Sequence, residues 1–146
     1  MNTSNSLRSR AMGLLARREH SRAELLQKLA PHTEDSAELA SLLDDLVQRG
    51  YLSDARYAAE FVRAKSRRFG TARMTYALRE KGVAEPDIQA ALNSLEANES
   101  ERARKVWESK FGVLPSSLEE RGKQTRFLAG RGFPAEIIRK ILRGDD

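Results

Sequence analysis

The strongest constraint on this chain is a repeat punctuated by glycine. Phe69-Gly70 recurs as Phe111-Gly112, and Lys81-Gly82-Val83 recurs as Arg131-Gly132-Phe133. Gly70 and Gly82 are 12 residues apart and Gly112 and Gly132 are 20 apart, so the later copy carries about eight extra residues around Val113 to Glu120. Past the second glycine the registers rejoin: Ile88 and Ile138 each lie six residues on, Leu92 and Leu142 each ten. A period near 45 residues with three helical segments per period specifies small bundles in tandem. One such bundle is too short to build a good core alone, so neighbours are expected to stack. The expected fold is all-α: a tandem array of three three-helix repeats forming an elongated, curved molecule. Its divisions are a disordered N-terminus at 1–6, repeats at 7–50, 51–95 and 96–143, and a tail at 144–146.

Polar caps and apolar spacing mark the helices. Leu7, Ala11, Leu14 and Leu15 give the inner face of a first helix ending near Glu19. Ser21 with Glu24 reads as a capping box opening a second, with Leu25, Leu26 and Leu29, which Pro31 stops. Asp35 followed by Glu38 opens a third, where Leu39, Leu42, Leu43, Leu46 and Val47 show the clearest helical period. Gly50, able to take left-handed backbone angles, ends it. Ser53 and Asp54 then offer oxygens to the free N–H groups of the next helix, whose buried stripe is Tyr57, Ala58, Phe61 and Val62. Thr71 caps a helix with Met74, Ala77 and Leu78 inward, and Pro86 sits in the first turn of one presenting Ile88, Ala91, Leu92 and Leu95. In the last repeat a helix from Arg102 to Lys110 buries Ala103, Val106, Trp107 and Phe111. Ser116 with Glu119 is read as another capping box, opening a helix that carries Leu118, Phe127 and Leu128. Pro134 opens the last, with Ile137, Ile138, Ile141 and Leu142 on its apolar side.

Several function classes drop out. There is no cysteine, which removes disulfides and cysteine-based zinc sites. Met1 to Ser6 hold no apolar run, and no stretch approaches the roughly 18–20 apolar residues that span a bilayer, so a cytoplasmic protein without membrane contact is expected. His20 and His32 are read as capping or solvated groups, the former favoured by a helix C-terminus. No H-E-x-x-H, Walker-type loop or G-x-S-x-G occurs, and Asp44-Asp45 and Glu119-Glu120 point about 100° apart on a helix. Neither catalytic residues nor a metal or cofactor site are expected.

Positive charge is the remaining signal. The net charge is +5. Residues 1–50 are balanced with seven basic and seven acidic groups, 51–95 hold eight against five, and 96–146 hold eleven against nine. Arg56, Arg63 and Arg67, at i, i+7 and i+11, fall within roughly 40° on one helix face. Arg63 and Arg67 form a like-charge i, i+4 pair that costs helix stability, which makes a face without acidic partners a candidate binding surface. Arg68, Arg73, Arg79 and Lys81 extend it, Tyr76 falls off the apolar stripe beside Arg73 and Arg79, and Arg126 and Arg131 belong to a second cluster near the end.

The segment Gly50-Tyr51-Leu52-Ser53-Asp54-Ala55-Arg56-Tyr57-Ala58-Ala59-Glu60-Phe61-Val62 resembles the signature of the RecX family of RecA regulators. Leu15-Ala16-Arg17-Arg18-Glu19-His20-Ser21 with Glu24-Leu25 and Leu78-Arg79-Glu80-Lys81-Gly82 are similar to it as well. So are Arg126-Phe127-Leu128 and Arg131-Gly132-Phe133, and the likeness extends from about Leu7 to Leu142. The resemblance implies three three-helix repeats and no catalysis. It implies a negative regulator that lodges in the groove of the RecA filament on single-stranded DNA and suppresses filament growth, ATPase, strand exchange and co-protease action. On that basis Arg56, Arg63, Arg67, Arg68, Arg73, Tyr76, Arg79, Lys81, Arg126 and Arg131 are expected to bind the partner. RecA filament is the main partner, single-stranded DNA an auxiliary contact, and the protein a monomer. The alternative is a helical module that binds nucleic acid directly, without RecA.

Overall fold

Ser21, Asp35, Ser53 and Ser117 side chains open four of the helices, and Gly50, Gly82, Gly112, Gly132 and Gly144 take positive φ just past the ends of five. The computed structural model describes residues 3–144, with backbone alone at 3–5, 94, 96 and 97. Those residues form α1 (Thr3–Arg17), α2 (Arg22–Leu29), α3 (Ser36–Gln48), α4 (Asp54–Lys65), α5 (Thr71–Glu80), α6 (Glu85–Leu92), α7 (Glu99–Lys110), α8 (Leu118–Gly130) and α9 (Ala135–Leu142). Short 3₁₀ turns follow α2 and α6, and no strand occurs among the described residues. The nine helices fall into three triplets, α1–α3, α4–α6 and α7–α9. α1 opens at Thr3, inside the segment read as disordered, while Met1 and Asn2 lie outside the described residues.

The caps follow the sequence with three exceptions. Ser21 Oγ accepts the Glu24 N–H, Asp35 Oδ1 accepts the Glu38 N–H, and Ser53 Oγ accepts the Arg56 N–H. Gly50 has a φ of 82° and lets the N–H groups of Tyr51 and Leu52 return to the Leu46 carbonyl, closing the orphan end of α3. Asp54 does not serve its own helix: its Oδ1 accepts the Arg22 N–H at 2.8 Å, at the start of α2. Thr71 is the first residue of α5 and not its cap. The cap of α8 is Ser117, whose Oγ accepts the Glu120 N–H. Ser116 instead donates its N–H and O–H to the Glu120 carboxylate. Leu118, read with Phe127 and Leu128 as carried by this helix, is 88% exposed.

The chain divides into two compact units: residues 1–60 with 78–91, and residues 61–77 with 92–146. The middle triplet contributes to both. In unit 1, α1, α2 and α3 bury Leu7, Ala11, Leu25, Leu29, Leu39, Leu42, Leu43, Leu46 and Leu52 together. A set of leucines with one alanine suits three short helices, because side chains unbranched at Cβ pack without raising the helix cost. His20 is buried here, not solvated: it is 1% exposed, with Nδ1 3.0 Å from the Arg18 carbonyl and Nε2 3.3 Å from Lys28 Nζ.

In unit 2, Ala103, Trp107, Leu128, Phe133, Ile138, Ile141 and Leu142 form the core. Trp107 Nε1 donates to the buried Gln124 Oε1 at 2.8 Å, and Gln124 Nε2 donates to the Val113 carbonyl. The indole thus keeps a partner for its only polar atom, and the inserted loop is anchored to the core. The end of α8 lies against the start of α5. The Gly70 N–H donates to the Arg131 carbonyl at 2.7 Å and the Ala72 N–H to the Gly132 carbonyl at 3.3 Å.

Candidate functional site

Positive charge is not shared between the units. Unit 1 holds ten basic and twelve acidic groups, net −2, and unit 2 holds sixteen against nine, net +7. The local pairing deepens the contrast. In unit 1, Arg8 and Arg49 both meet Asp45 (2.7 and 2.9 Å), Arg22 meets Asp44 (2.6 Å), and Arg18 grips both oxygens of Glu24. Arg56 meets Glu19 at 3.1 Å, Arg79 is paired with Glu85, and Lys81 lies 3.8 Å from Glu24. These three arginine and lysine positions were expected to face solvent without acidic partners; each has one. Burial pushes the Glu24 carboxyl up, but Arg18, with His20 and Lys81 nearby, outweighs it and holds the group below its ordinary value.

Unit 2 gathers several of the expected residues into a basic cleft. α4 ends at Lys65, so Arg67 and Arg68 leave the helix face on which Arg67 was placed and sit in the turn that follows. There they line a cleft of about 310 Å³ with Lys105 and Lys110 of α7, Phe127 of α8, and Arg131. No carboxylate lines it, and among the described residues Arg67, Arg68, Lys105, Lys110 and Arg131 form no ion pair.

Aromatic faces hold three of these cations, Arg68, Lys110 and Arg131, and Arg73 beside the cleft. The guanidinium carbons of Arg68, Arg73 and Arg131 lie 5.2, 4.3 and 5.4 Å from the centre of the Phe69 ring. Arg131 also lies 4.9 Å, and Lys110 Nζ 5.4 Å, from the centre of Phe127. The negative face of a phenyl ring attracts a cation without neutralising it, so the charge stays available to a ligand. Arg73 donates to the Gly130 carbonyl at 2.9 Å and Arg131 to the Arg68 carbonyl at 3.3 Å. The close approach of Gly70 and Gly132 brings the Arg67–Arg68 turn to the end of α8. A Cβ on Gly70 would lie 2.7 Å from the Phe133 nitrogen and closer still to the Gly132 carbonyl.

The other expected residues lie outside this cleft. Arg63 is exposed on α4 and has an electrostatic or hydrogen-bonding partner of its own. Tyr76 is 66% exposed on α5, as its place off the apolar stripe implied. Arg126 projects beside Gly122 on α8. Sequence reasoning missed Lys105 and Lys110, because α7 was read for its inner face alone. Their signal was two lysines five residues apart on that helix's polar face. A second basic group, Arg10, Arg17, Lys28 and His32, lines a depression beside Gly13 in unit 1. Among the described residues no group of three or more His, Cys, Asp or Glu side chains is placed to hold a metal ion, and no helix is long and apolar enough to cross a membrane.

Comparison with known proteins assigns the family. Residues 53–92 match the profile described as RecX, second three-helix domain, and residues 98–142 that described as RecX, third three-helix domain. A regulatory protein RecX from Leptothrix cholodnii is 48% identical over 138 residues, 94% of this chain and 88% of that protein. The chain belongs to the RecX family. A second RecX relative, from Pseudomonas putida, is 44% identical over the whole of this chain and 95% of its own. The RecX fold extends to more distant members. The crystal structure of RecX from Lactobacillus salivarius is 18% identical with a TM-score of 0.82, covering 97% of this chain and 96% of that one. A crystal structure of a regulatory protein RecX scores 0.85 at 21% identity, covering 98% and 74%. RecX is thus a family of regulatory proteins built from three-helix repeats, and this chain is one of them.

Proposed function

We propose that this chain is a negative regulator of RecA: a cytoplasmic monomer without catalysis of its own. It binds in the groove of the RecA filament on single-stranded DNA and inhibits filament growth, ATPase, strand exchange and co-protease action. Membership of a regulatory family supports the reading, and the observation that carries it is the unpaired basic cleft of unit 2. Such a filament is a polyanion built of acidic protein surface and phosphate, and a locally concentrated, unneutralised cationic surface steers and holds that kind of partner. Arg67, Arg68, Arg73 and Arg131 are the residues proposed to carry the contact. Arg56, Arg79 and Lys81, already paired within their own unit, contribute less.

The test is reversal of charge at the cleft. Arg67→Glu with Arg68→Glu alters two exposed turn residues, so the thermal midpoint stays close to that of the parent. Inhibition of single-stranded-DNA-dependent RecA ATPase is expected to fall at least tenfold in potency. Full inhibition by the folded variant would remove this cleft from the interface.

A further inference from the structure

Unit 2 holds a second concavity, apolar where the first is basic, and it stands apart from the regulatory reading. We infer that the groove between α8 and α9 binds a small amphipathic carboxylate, an unbranched aliphatic acid of medium chain length. Its carboxylate meets Arg121 and Arg139, and its hydrocarbon chain lies along the apolar floor.

The groove is open because small side chains stand where larger ones would fill it. Arg121, Thr125 and Ala129 line it from α8, and Ala135, Ile138, Arg139 and Leu142 from α9. Phe133, Ile138 and Leu142 are only 4, 2 and 4% exposed, so they make a floor held rigid by the core. Ala129 and Ala135 are exposed and leave the space above that floor empty. The cavity measures about 330 Å³, the size at which small-ligand sites begin. It shares no residue with the basic cleft.

Two unpaired guanidinium groups face this apolar surface. Arg121 is half-buried and Arg139 exposed. Among the described residues neither forms an ion pair or a side-chain hydrogen bond, and no carboxylate lines the groove. A guanidinium partly withdrawn from water has lost hydration that nothing here replaces. Its parallel N–H groups match the two oxygens of a carboxylate. A doubly charged phosphate would cost more to desolvate beside hydrocarbon, so the singly charged head is the better match.

The apolar track is long enough for a tail. Arg121 and Ala129 are separated by about 12 Å along α8. Leu118, Arg121, Thr125 and Ala129 fall within roughly 80° on that helix, so the 88% exposed Leu118 continues the same stripe. Leu114 is 43% exposed, and its Cδ1 would lie 3.2 Å from a Cβ on Gly144, just past α9. A mostly apolar concavity with a few convergent polar groups is the usual form of a small-molecule site. A stable protein contact buries roughly 800 Å² on each partner, more than the walls of a cavity this size present.

The experiment is calorimetric titration of the full chain with decanoate, octanoate and hexanoate, with decanol and decylamine as head-group controls. Decanoate is expected to bind with a Kd on the order of 0.1 mM. Binding is expected to weaken roughly tenfold for each two methylenes removed. Decanol is expected to bind about tenfold more weakly or worse, and decylamine not to bind. Arg121→Gln/Arg139→Gln is expected to lose about tenfold or more in decanoate affinity. Ala129→Phe, which fills the groove from an exposed position, is expected to abolish binding. Lys123→Gln/Lys140→Gln, exposed in the same unit outside the groove, is expected to match the parent. Equal thermal midpoints establish that the variants are folded.

Equal decanoate affinity in all four proteins would mean detergent-like association and overturn the site. Decanol binding as tightly as decanoate would overturn it too, since the arginines would then recognise nothing. So would a parent that ignores decanoate, whether or not it takes up phosphatidylglycerol vesicles or a synthetic Leu/Glu amphipathic peptide through this groove. No RecA enters the titration, so its failure leaves the regulatory reading untouched.

Discussion

The Glu99 carboxylate accepts both the backbone N–H and the hydroxyl of Thr71, at 3.0 and 2.9 Å, and is only 8% exposed while doing so. A residue 28 positions away thus caps α5, the helix that carries Arg73, and its negative charge lies at the positive end of that helix. Glu99→Ala is expected to cost about 1–2 kcal/mol, since it removes a charged cap and leaves two part-buried donors of Thr71 without their acceptor. Glu99→Gln, which keeps one acceptor, is expected to cost less. Urea unfolding of the two variants checks the order, and an equal, negligible loss in both would contradict it.

Gly70 and Gly132 meet backbone to backbone, so a methyl group at position 70 has no flexible neighbour to displace. Gly70→Ala is expected to destabilise by about 3 kcal/mol or more, at the upper end of overpacking effects. Gly13→Ala, where an added Cβ meets nothing inside α1, is expected to stabilise by roughly 0.5–1 kcal/mol. Thermal midpoints moving in opposite directions are the expected result.

Acid sensitivity should arise in two steps. Burial pulls the His20 pKa below its ordinary 6.5, the Arg18 carbonyl opposing and the nearby cations of Arg18 and Lys28 reinforcing. The folded chain then resists a proton that the unfolded chain takes up. This contribution is complete above pH 6.5 and declines as pH falls below it. Glu24, depressed below 4.5, adds a contribution complete above 4.5 and lost as pH falls further. His20→Asn retains a donor for the Arg18 carbonyl and is expected to lose less stability than the parent between pH 7.5 and 5.5. Equal losses would contradict the assignment.

Arg56 and Glu19 form a partly exposed pair, with side chains 48% and 29% accessible. Such pairs contribute within about 1 kcal/mol. Arg56→Gln is expected to shift the unfolding midpoint slightly and to leave RecA inhibition unchanged. A loss of inhibition matching that of the cleft variant would return Arg56 to the interface.

The repeat, the helical class and most helix ends were legible in the sequence, because they depend on local rules. Ser21, Asp35, Gly50 and the Ile88/Ile138 register are each decided within a few residues. What escaped was decided by distant neighbours. Asp54 caps α2 and Glu99 caps α5, and no spacing rule announces a partner 32 or 28 residues away. Arg56 looked unpaired because Glu19 lies far back in the chain. His20 carried the right sequence signal for a helix end, but burial beside Lys28 and the Arg18 carbonyl is a tertiary fact. For the site, the sequence pointed to the arginines of the Arg67–Arg73 stretch and to Arg131. It did not join them to Lys105 and Lys110, since that requires knowing that the turn after α4 meets α7 and the end of α8.

The central claim is that this chain acts on RecA filaments. Electron microscopy of RecA assembled with ATP on circular single-stranded DNA, with and without the chain at a substoichiometric ratio to RecA, tests it most directly. The account predicts shortened or gapped filaments with the parent protein and near-full coverage with Arg67→Glu/Arg68→Glu. Filaments of unaltered length and coverage in the presence of the folded parent protein would contradict it.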